Sequence, residues 1–355
     1  MQAKKCLMGQ GLLLGALVLT GSTACAQSSV TLYGVMDAYL ERVDNTRATS
    51  PNEPPSVSRV RMGDSGLLGP RLGFRGSEAI GGGTNIVFTL EHGFKIPTGE
   101  VADPQRFFNR QAFVGVDGRY GRFLMGRQYT SLFDALVLIT PLAYSGTYEP
   151  FSPLLGGLRN DRSLKYRLAS GGMAAQVNYA FKDSATPSTA GAAWGGYVSY
   201  ADANWTAALA FDQKDGANGA AGRPRDRRVA LAAAYKTGPL RFSTGYRWGQ
   251  VKSALGASTG RDDFYWLGLT YAPSAAWQIA AAYYFDKVKQ RDGASNLKNP
   301  HQLTVQAIYS LSKRTDLYGA IAHAKHASLN LGAVSQLGVG KDSQTGVALG
   351  IRHRF

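Results

Sequence analysis

The stretch QTGVALGIRHRF, from Gln344 to Phe355, ends the chain and decides how the rest is interpreted. Its residues alternate in character with a period of two, which is the period of a β-strand. One face is apolar or aromatic and the other is small or cationic: Val347, Leu349, Ile351, His353 and Phe355 against Ala348, Gly350, Arg352 and Arg354. A last strand has no later partner, so its free edge must pair with a strand made earlier. Pairing with the first strand would close the sheet and leave no edge.

The start of the chain has the features of a secretory signal peptide. Two lysines precede an apolar run over 11–19, and the sequence Ala-Cys-Ala ends at Ala26. This order of charge, short apolar run and small residues predicts a signal over 1–26 that is cleaved after Ala26. The apolar run is too short for a membrane-spanning helix, which needs roughly 20 residues. A lipid-anchored start at Cys25 is a weaker alternative, because lipoprotein signals usually have an apolar residue where this chain has Ser22.

The mature part, predicted as one domain over 27–355, contains no cysteine, because Cys6 and Cys25 both lie in the signal. An exported protein without disulfides is not a small disulfide-stabilised domain. The formal charge of +15 falls to +13 when Lys4 and Lys5 are removed. We expect no nucleic-acid partner, since an exported chain does not normally meet nucleic acid. No apolar run of about 18 residues follows the signal, which excludes a helical membrane protein but not a membrane β-barrel.

Segments of about ten alternating residues recur through the mature chain. Sixteen of them are predicted as strands, with the bounds 30–40, 71–77, 85–94, 110–116, 123–129, 164–168, 174–181, 194–201, 205–212, 228–235, 240–248, 264–271, 277–285, 302–311, 317–323 and 344–355. Tight turns and long, charged, glycine-rich loops alternate between these segments. An even number of strands with short turns on one side and long loops on the other is typical of outer-membrane barrels. The sequence therefore predicts an all-β, 16-stranded antiparallel transmembrane β-barrel.

A soluble β-sandwich also has many short strands and is the main alternative fold. Three features weigh against it. Aromatic residues collect at the predicted strand ends, glycine and alanine occupy the second face of the strands, and turn length alternates regularly. Aromatic girdles at two interfaces are typical of proteins in a bilayer, so the barrel is the favoured interpretation.

Charged positions within the predicted strands indicate which face points inward, because an arginine in the lipid-facing wall costs about 2–4 kcal/mol. By this criterion Arg71 and Arg75 on the second predicted strand face the lumen. Lys165 and Arg167 do so on the sixth, and Asp37 does so on the first. Neighbouring strands thus place cations on one inner wall, although such charges could also serve only to hydrate the lumen.

Two arginines test the same criterion at strand ends. Arg110 is assigned to the inward face of the fourth predicted strand together with Val114, so that Phe113 is expected to face outward. Arg127 on the fifth is ambiguous, since it has the parity of the outward-facing Met125. A position at a subunit interface is the other interpretation of Arg127.

The connection over about 130–161 is the longest between predicted strands, and it contains Asp134 and Glu149. Its apolar content argues against disorder. Loops of this length without regular structure are usually functional when they are ordered. We therefore expect this third loop to fold inward against the barrel wall, where it would narrow the pore and face the cations.

Five short motifs stand out in the mature chain: VTLYGVMD at 30–37, LGFRGSE at 72–78, NRQAFVG at 109–115, GRQY at 126–129 and RHRF at 352–355. Together they resemble the Gram-negative general porins, especially the branch from β-proteobacteria. The resemblance implies a homotrimer of sixteen-stranded barrels with a third loop folded into each pore. It also implies outer-membrane lipid and lipopolysaccharide as surroundings, and a terminal Phe355 that the outer-membrane insertion machinery recognises.

The resemblance further implies a pore constriction with a basic wall. The residues that match it are Arg71, Arg75 and Arg110, with Lys165 and Arg167 on the sixth predicted strand, and the candidate acids near them are Asp37, Asp134 and Glu149. The third loop contains fewer acids than is usual in porins of this type. The pore should therefore favour anions, because fixed positive charge would line a confined aqueous path.

The leading functional hypothesis is passive diffusion of small hydrophilic solutes, anions preferred, through the outer membrane of a Gram-negative bacterium. A channel specific for one carboxylate or phosphate solute is the alternative. The five histidines are scattered and form no nucleophile or metal signature, so no enzymatic activity, cofactor or metal site is predicted. The long loops leave an added role as an adhesin or receptor open.

Overall fold

The computed structural model describes residues 29–182, 191–216, 222–295 and 297–355, so the predicted signal peptide lies outside the described residues. The described strands form one 17-stranded antiparallel sheet. In chain order the strands are β1 Ser29–Arg47, β2 Ser56–Asp64, β3 Arg71–Gly81, β4 Thr84–Gly93, β5 Gln111–Gly118, β6 Gly121–Tyr129, β7 Arg159–Ser170, β8 Met173–Ala180, β9 Ala193–Ala201, β10 Trp205–Asp215, β11 Arg225–Thr237, β12 Leu240–Lys252, β13 Ser258–Tyr271, β14 Trp277–Gln290, β15 His301–Ser310, β16 Thr315–Lys325 and β17 Ser343–Arg354.

The last strand closes the sheet into a cylinder. β17 pairs with β16 on one side and with β1 on the other, where Val35 lies opposite Arg354. The backbones of Gly34 and Phe355 exchange two hydrogen bonds, with N···O distances of 3.1 and 3.2 Å. The closure predicted from the terminal stretch is confirmed.

β2 and β3 together occupy one position in the barrel wall. β2 pairs with the half of β1 nearer the long loops, where Ala38 lies opposite Asp64, and β3 pairs with the half nearer the tight turns, where Val35 lies opposite Arg71. The barrel therefore has the sixteen strand positions that the sequence predicts. β2 itself is not predicted, because it follows directly on a polar, proline-rich stretch that hides its short alternation. We refer to the two ends of the barrel as the loop side and the turn side.

The two faces of the wall follow the predicted alternation on β17. Leu349 is 69% exposed on the outer face, whereas Ala348 on the inner face is 1% exposed. The prediction for β5 is wrong: Val114 is exposed on the outer face, and Phe113 lines a cavity inside the barrel. The physical reason is that β5 begins at Gln111. Arg110 therefore precedes the strand, and the direction of its side chain does not report the parity of the strand.

The connection between β6 and β7, residues 130–158, contains two short helices, α1 (Ser131–Leu136) and α2 (Phe151–Leu155). We call this connection the β6–β7 loop. The hydroxyl of Thr130 caps α1 by accepting a hydrogen bond from the N–H of Phe133 at 3.2 Å. Two short 3-10 turns, Leu329–Leu331 and Val334–Gln336, lie between β16 and β17. Among the described residues, no helix is long and apolar enough to cross a membrane.

The main hydrophobic core lies between the β6–β7 loop and the inner face of the wall. Leu132, Leu136 and Ile139 are fully buried there. They pack against small inner-face residues, including Ala208, Ala210, Ala230, Ala232, Ala234, Ala280 and Ala282. Alanines allow the loop to approach the wall closely, and each large side chain buried in this way contributes about 1.5–3 kcal/mol.

We expect Gly34→Ala to weaken the closure of the barrel. A Cβ atom at Gly34 would lie 2.2 Å from the ring of Phe355 and 2.8 Å from the carbonyl oxygen of Arg71, so both would have to move. Overpacking of this kind typically costs about 1–3 kcal/mol. The fraction that refolds into detergent micelles should fall, as measured by heat-modifiable migration on a gel.

Gly157→Ala is the matched control, because a Cβ atom at Gly157 meets nothing within 4 Å. The control should refold as the wild-type protein does. Equal refolding of the Gly34 and Gly157 variants would show that the contact at the seam contributes nothing to closure.

Candidate functional site

The first part of the β6–β7 loop is held by a carboxylate of the wall. The N–H of Leu132, in the first turn of α1, donates a hydrogen bond to Asp212 of β10 at 2.7 Å. Ser131 is fully buried, and its hydroxyl donates to Asn178 of β8. A carboxylate at the exposed N–H groups of a helix start is a favourable arrangement, so α1 has a fixed position on the wall.

The middle of the loop is held by Glu149, which is 3% exposed. Its carboxylate accepts hydrogen bonds from the Tyr284 hydroxyl at 2.9 Å and from the N–H groups of Leu142 and Ser145 at 3.2 and 3.0 Å. Burial raises the pKa of the Glu149 carboxyl to about 7, although these hydrogen bonds favour the charged form. Glu149 therefore anchors the loop to the wall and does not present its charge to water.

The end of the loop is held by two arginines from β11 and β12, the strands that follow β10 in the wall. Arg228 of β11 and Arg247 of β12 both donate hydrogen bonds to the carbonyl oxygen of Pro153 in α2. The side chain of Arg247 is fully buried, and it is also paired with Asp262. A buried arginine needs such partners, because an uncompensated buried charge costs several kcal/mol.

Asp37 supports the tip of the loop from the other side of the barrel. It is fully buried and accepts hydrogen bonds from the N–H groups of Gly66, Leu67 and Leu68, in the turn between β2 and β3, at 3.1, 2.7 and 2.7 Å. The carbonyl oxygen of Gly66 in turn accepts a hydrogen bond from the hydroxyl of Ser145 at 2.8 Å. Asp37 thus positions a turn that contacts the β6–β7 loop, and its carboxylate is hydrogen-bonded to backbone N–H groups.

Arg71 and Arg110 share one buried carboxylate that the sequence analysis did not single out. Glu91 lies 2.7 Å from Nε of Arg110 and 3.6 Å from Nη1 of Arg71, and it accepts a hydrogen bond from the Tyr33 hydroxyl at 2.9 Å. Glu91 lies within the third predicted strand, so the criterion used for charged strand positions also applies to it and would have assigned it to the lumen.

A third arginine joins this group through Tyr129. The hydroxyl of Tyr129 accepts hydrogen bonds from Arg110 at 3.3 Å and from Arg159 at 3.0 Å. The guanidinium of Arg159 also lies 4.5 Å from the centre of the Tyr129 ring. We call Arg71, Arg110 and Arg159 the arginine cluster. Arg159 had no sequence signal, because it follows the long loop and its direction depends on how the loop ends.

A cavity of about 330 Å³ lies beside the cluster, between the β2–β3 turn and the β6–β7 loop. Arg110, Tyr144, Ser145 and Phe151 are among its lining residues. Polar and cationic groups thus meet the β6–β7 loop at one place inside the barrel. Arg75 lies apart from this cavity, with its guanidinium 5.2 Å from the centre of the Tyr33 ring.

Lys165 and Arg167 belong to a different part of the inner wall. Lys165 lies 2.5 Å from the carboxylate of Asp134 in α1, and it donates a hydrogen bond to the carbonyl oxygen of Tyr129 at 2.9 Å. Arg167 lines a larger cavity on the turn side together with Arg122. The predicted row of cations is therefore divided into two groups. Arg127 lies on the outer parity at the loop side and is paired with Asp161.

Within the described part of the chain, no group of three or more histidine, aspartate and glutamate residues is placed to bind a metal ion. Apart from Arg75 and Arg167, the charged side chains described above bind backbone groups, tyrosine hydroxyls or one another. The arrangement can position a loop and present positive charge along an aqueous path.

Comparison with known proteins decides the family. A family model described as Gram-negative porin matches residues 14–327. The chain belongs to the Gram-negative porin family. As a porin of this family, the protein is a passive channel in the outer membrane. The family and the fold point to a channel rather than an enzyme.

Individual porins are similar over nearly the whole chain. Outer membrane porin protein 32 of Delftia acidovorans is 29% identical, with 98% of this chain and 100% of that protein aligned. An outer membrane porin protein of Bordetella pertussis is 27% identical over 97% of this chain and 99% of that protein. The solved structure of an anion-selective porin from Comamonas acidovorans has a TM-score of 0.79 at 28% identity, covering 93% of this chain and 100% of that one.

The buried carboxyl of Glu149 makes the stability of this porin depend on pH. Its pKa is raised from 4.5 to about 7, so its stabilising contribution is complete below pH 4.5 and is lost as the pH rises to about 7. This pKa shift corresponds to a change of roughly 3 kcal/mol in the free energy of unfolding. The unfolding temperature of the wild-type protein in detergent should fall over this range relative to that of Glu149→Gln, which has no charge to bury.

Glu78→Gln provides the control, since Glu78 is exposed near the turn side. Its pH profile should run parallel to that of the wild-type protein. Parallel profiles for Glu149→Gln and the wild-type protein would contradict a buried carboxyl that ionises in this range.

Proposed function

We propose that this porin prefers small hydrophilic anions and that the arginine cluster is the main source of the preference. The cluster has three guanidinium groups and one carboxylate, that of Glu91, which gives three positive charges minus one negative charge, or +2. Fixed positive charge beside a narrow aqueous path favours anions over cations. The similar solved porin from Comamonas acidovorans is itself described as anion-selective, which supports the proposal.

We infer further that the β6–β7 loop lies across the lumen and forms the constriction. Its tip contacts the β2–β3 turn through Thr147, whose N–H donates to the Gly66 carbonyl at 2.8 Å. The neighbouring Tyr148 contacts β15, where Gln302 donates to its carbonyl oxygen at 2.7 Å. The start of the loop is held on β10 by Asp212, so the loop runs between separate parts of the wall and narrows the space between them.

The acids predicted near the constriction are engaged in hydrogen bonds or an ion pair within the protein. This supports the preference for anions. Asp37 and Glu149 are buried and hydrogen-bonded to backbone N–H groups. Asp134 is paired with Lys165. The predicted acids therefore offer little exposed negative charge to attract a cation, whereas Arg75 remains exposed in the lumen.

Replacing Arg71, Arg75 and Arg110 together by glutamine should lower the chloride-to-potassium permeability ratio severalfold. With Glu91 counted, the charge of this set changes from +2 to −1. The ratio is obtained from the reversal potential of the purified protein in a planar bilayer with a salt gradient.

Arg119→Gln, Lys313→Gln and Arg314→Gln together form the control, because these three cations lie exposed in or beside tight turns. The control removes the same charge and should leave the ratio nearly unchanged.

In the test variant Glu91 loses both of its arginine partners. Arg75→Gln with Arg159→Gln therefore serves as a second test variant, because it keeps both ion pairs of Glu91. An unchanged ratio in both test variants would exclude the arginine cluster as the source of selectivity.

We also propose that the protein assembles as a homotrimer through one sector of its outer face. The described parts of β16, β17, β1 and β2 expose aliphatic side chains and no phenylalanine, tyrosine or tryptophan: Val30, Leu32, Met36, Leu40, Val60, Met62, Leu317, Ile321, Val347, Leu349 and Ile351. Strands β7 to β10 and β12 to β15 carry exposed tyrosine or tryptophan, as a lipid-facing girdle does. β2 also pairs only with β1 in the described sheet, so one edge of β2 is left for a neighbouring subunit.

Phe355, exposed at the end of β17, is the proposed signal for the insertion machinery.

Leu349→Trp should disrupt the trimer, because a larger side chain does not fit a packed interface and costs about 1–3 kcal/mol there. Leu231→Trp is the control, since Leu231 is 58% exposed on β11 in the sector with aromatic residues, where lipid accommodates a tryptophan. Oligomeric mass in detergent, measured by light scattering, should drop for the first variant only. Loss of the trimer in both variants, or in neither, would argue against this sector as the interface.

A further inference from the structure

A cavity on the turn side of the β6–β7 loop is not used by the selectivity proposal. Its volume is about 640 Å³. Its walls come from β5 to β10 and from the tight turn that includes Gly171. Polar side chains line it, including Gln111, Gln128, Gln176 and Ser199. We call it the turn-side cavity. Arg71, Arg110 and Arg159 do not line it.

Two arginines face each other across neighbouring strands in this cavity. Arg122 of β6 and Arg167 of β7 are directly opposite in the strand pairing, and both line the cavity. Residues in this relation have Cβ atoms roughly 5 Å apart, and like charges placed so destabilise a sheet. The pair therefore has an electrostatic cost in the empty barrel, and an anion between the two guanidinium groups would remove it.

The acids nearby compensate only one member of this pair. Nε of Arg122 lies at ion-pair distance, 3.4 Å, from the carboxylate of Asp117, although it makes no hydrogen bond with it. Among the described residues, no carboxylate lies within ion-pair distance of Arg167. Asp134, the acid that lines the cavity, is already paired with Lys165 and accepts a hydrogen bond from Gln176 at 3.0 Å.

We propose that the turn-side cavity is a second anion site, in which Arg122 and Arg167 bind a small doubly charged oxoanion of the phosphate class. The proposal rests on the anion preference proposed above and names a class of solute for it. Guanidinium groups form two parallel hydrogen bonds to phosphate oxygens, so a pair of them can hold a tetrahedral dianion. Neighbouring amide side chains such as Gln111 supply further donors.

The site lies after the arginine cluster on the path from the loop side to the turn side. An anion that leaves the cluster would therefore meet a second binding position before it reaches the other side of the membrane. Conduction requires binding strong enough to admit a solute but weak enough to release it. We expect the site to bind phosphate weakly and reversibly, and to hold it long enough to reduce a chloride current.

The experiment measures chloride conductance of the purified protein in a planar bilayer at pH 8 while inorganic phosphate is added. The concentration that halves the chloride current should rise by about tenfold in Arg122→Gln with Arg167→Gln, because bidentate charge-assisted bonds are lost. Arg119→Gln with Arg314→Gln is the control that removes the same charge, since both arginines lie exposed in or beside tight turns and outside the cavity. Acetate, which carries one charge, should block much less than phosphate in the wild-type protein.

Arg122→Lys with Arg167→Lys separates this site from general charge effects. The lysines keep the charge, so the chloride-to-potassium ratio should be retained, but they lack the planar fork and should weaken the phosphate block. An anion-selective wild-type protein whose phosphate block is the same in the glutamine variant would overturn the second site alone. A wild-type protein without anion selectivity would instead overturn the proposal on which the site rests.

Discussion

In the hydrocarbon region of a bilayer, an unpaired backbone N–H or C=O group has no water to bond, and each such group costs several kcal/mol. A sheet meets this constraint only when it closes on itself. Here the closure depends on β17, whose backbone pairs with that of β1. Two backbone hydrogen bonds between Gly34 and Phe355 complete this pairing. A closed wall with lipid on one side and water on the other explains three features of the fold. These are the apolar outer face, the small residues of the inner face, and the alternation of tight turns and long loops.

Closure alone gives a wide tube, and in the proposed channel the β6–β7 loop narrows it. Its apolar residues, including Leu132 and Leu136, pack on alanines of the wall, which are small enough to allow a close approach. Its polar backbone groups are satisfied by charged side chains of the wall: Asp212 at the start of α1, and Arg228 and Arg247 at Pro153. Charges that a sequence pattern would assign to the water-filled lumen are thus used to hold a loop in place. The same use of charge explains why Asp37 and Glu149 are buried.

This arrangement shapes the electrostatics of the channel. Carboxylates of the inner wall are largely committed to N–H groups, to arginines or to Lys165. Several cations are less fully compensated, in the arginine cluster and again around Arg167. In the proposed anion-selective pore, the positive character of the lumen therefore depends on which charges remain exposed once the loop is held in place, and not only on the overall excess of basic residues.

The sequence by itself determined the barrel, its sixteen strand positions, the closure through the terminal strand and the inward parity of Arg71, Lys165 and Arg167. These follow from a period of two and from the cost of placing charge in lipid, which act along each strand separately. The tertiary structure decided the partners: that Glu91 lies between two arginines, that Arg159 joins them through Tyr129, and that Phe113 points inward. Such contacts depend on the register between strands, on bulges and on where a strand begins. No periodicity within one strand contains that information, because it is fixed only when the neighbouring strands pair and the loop packs against them.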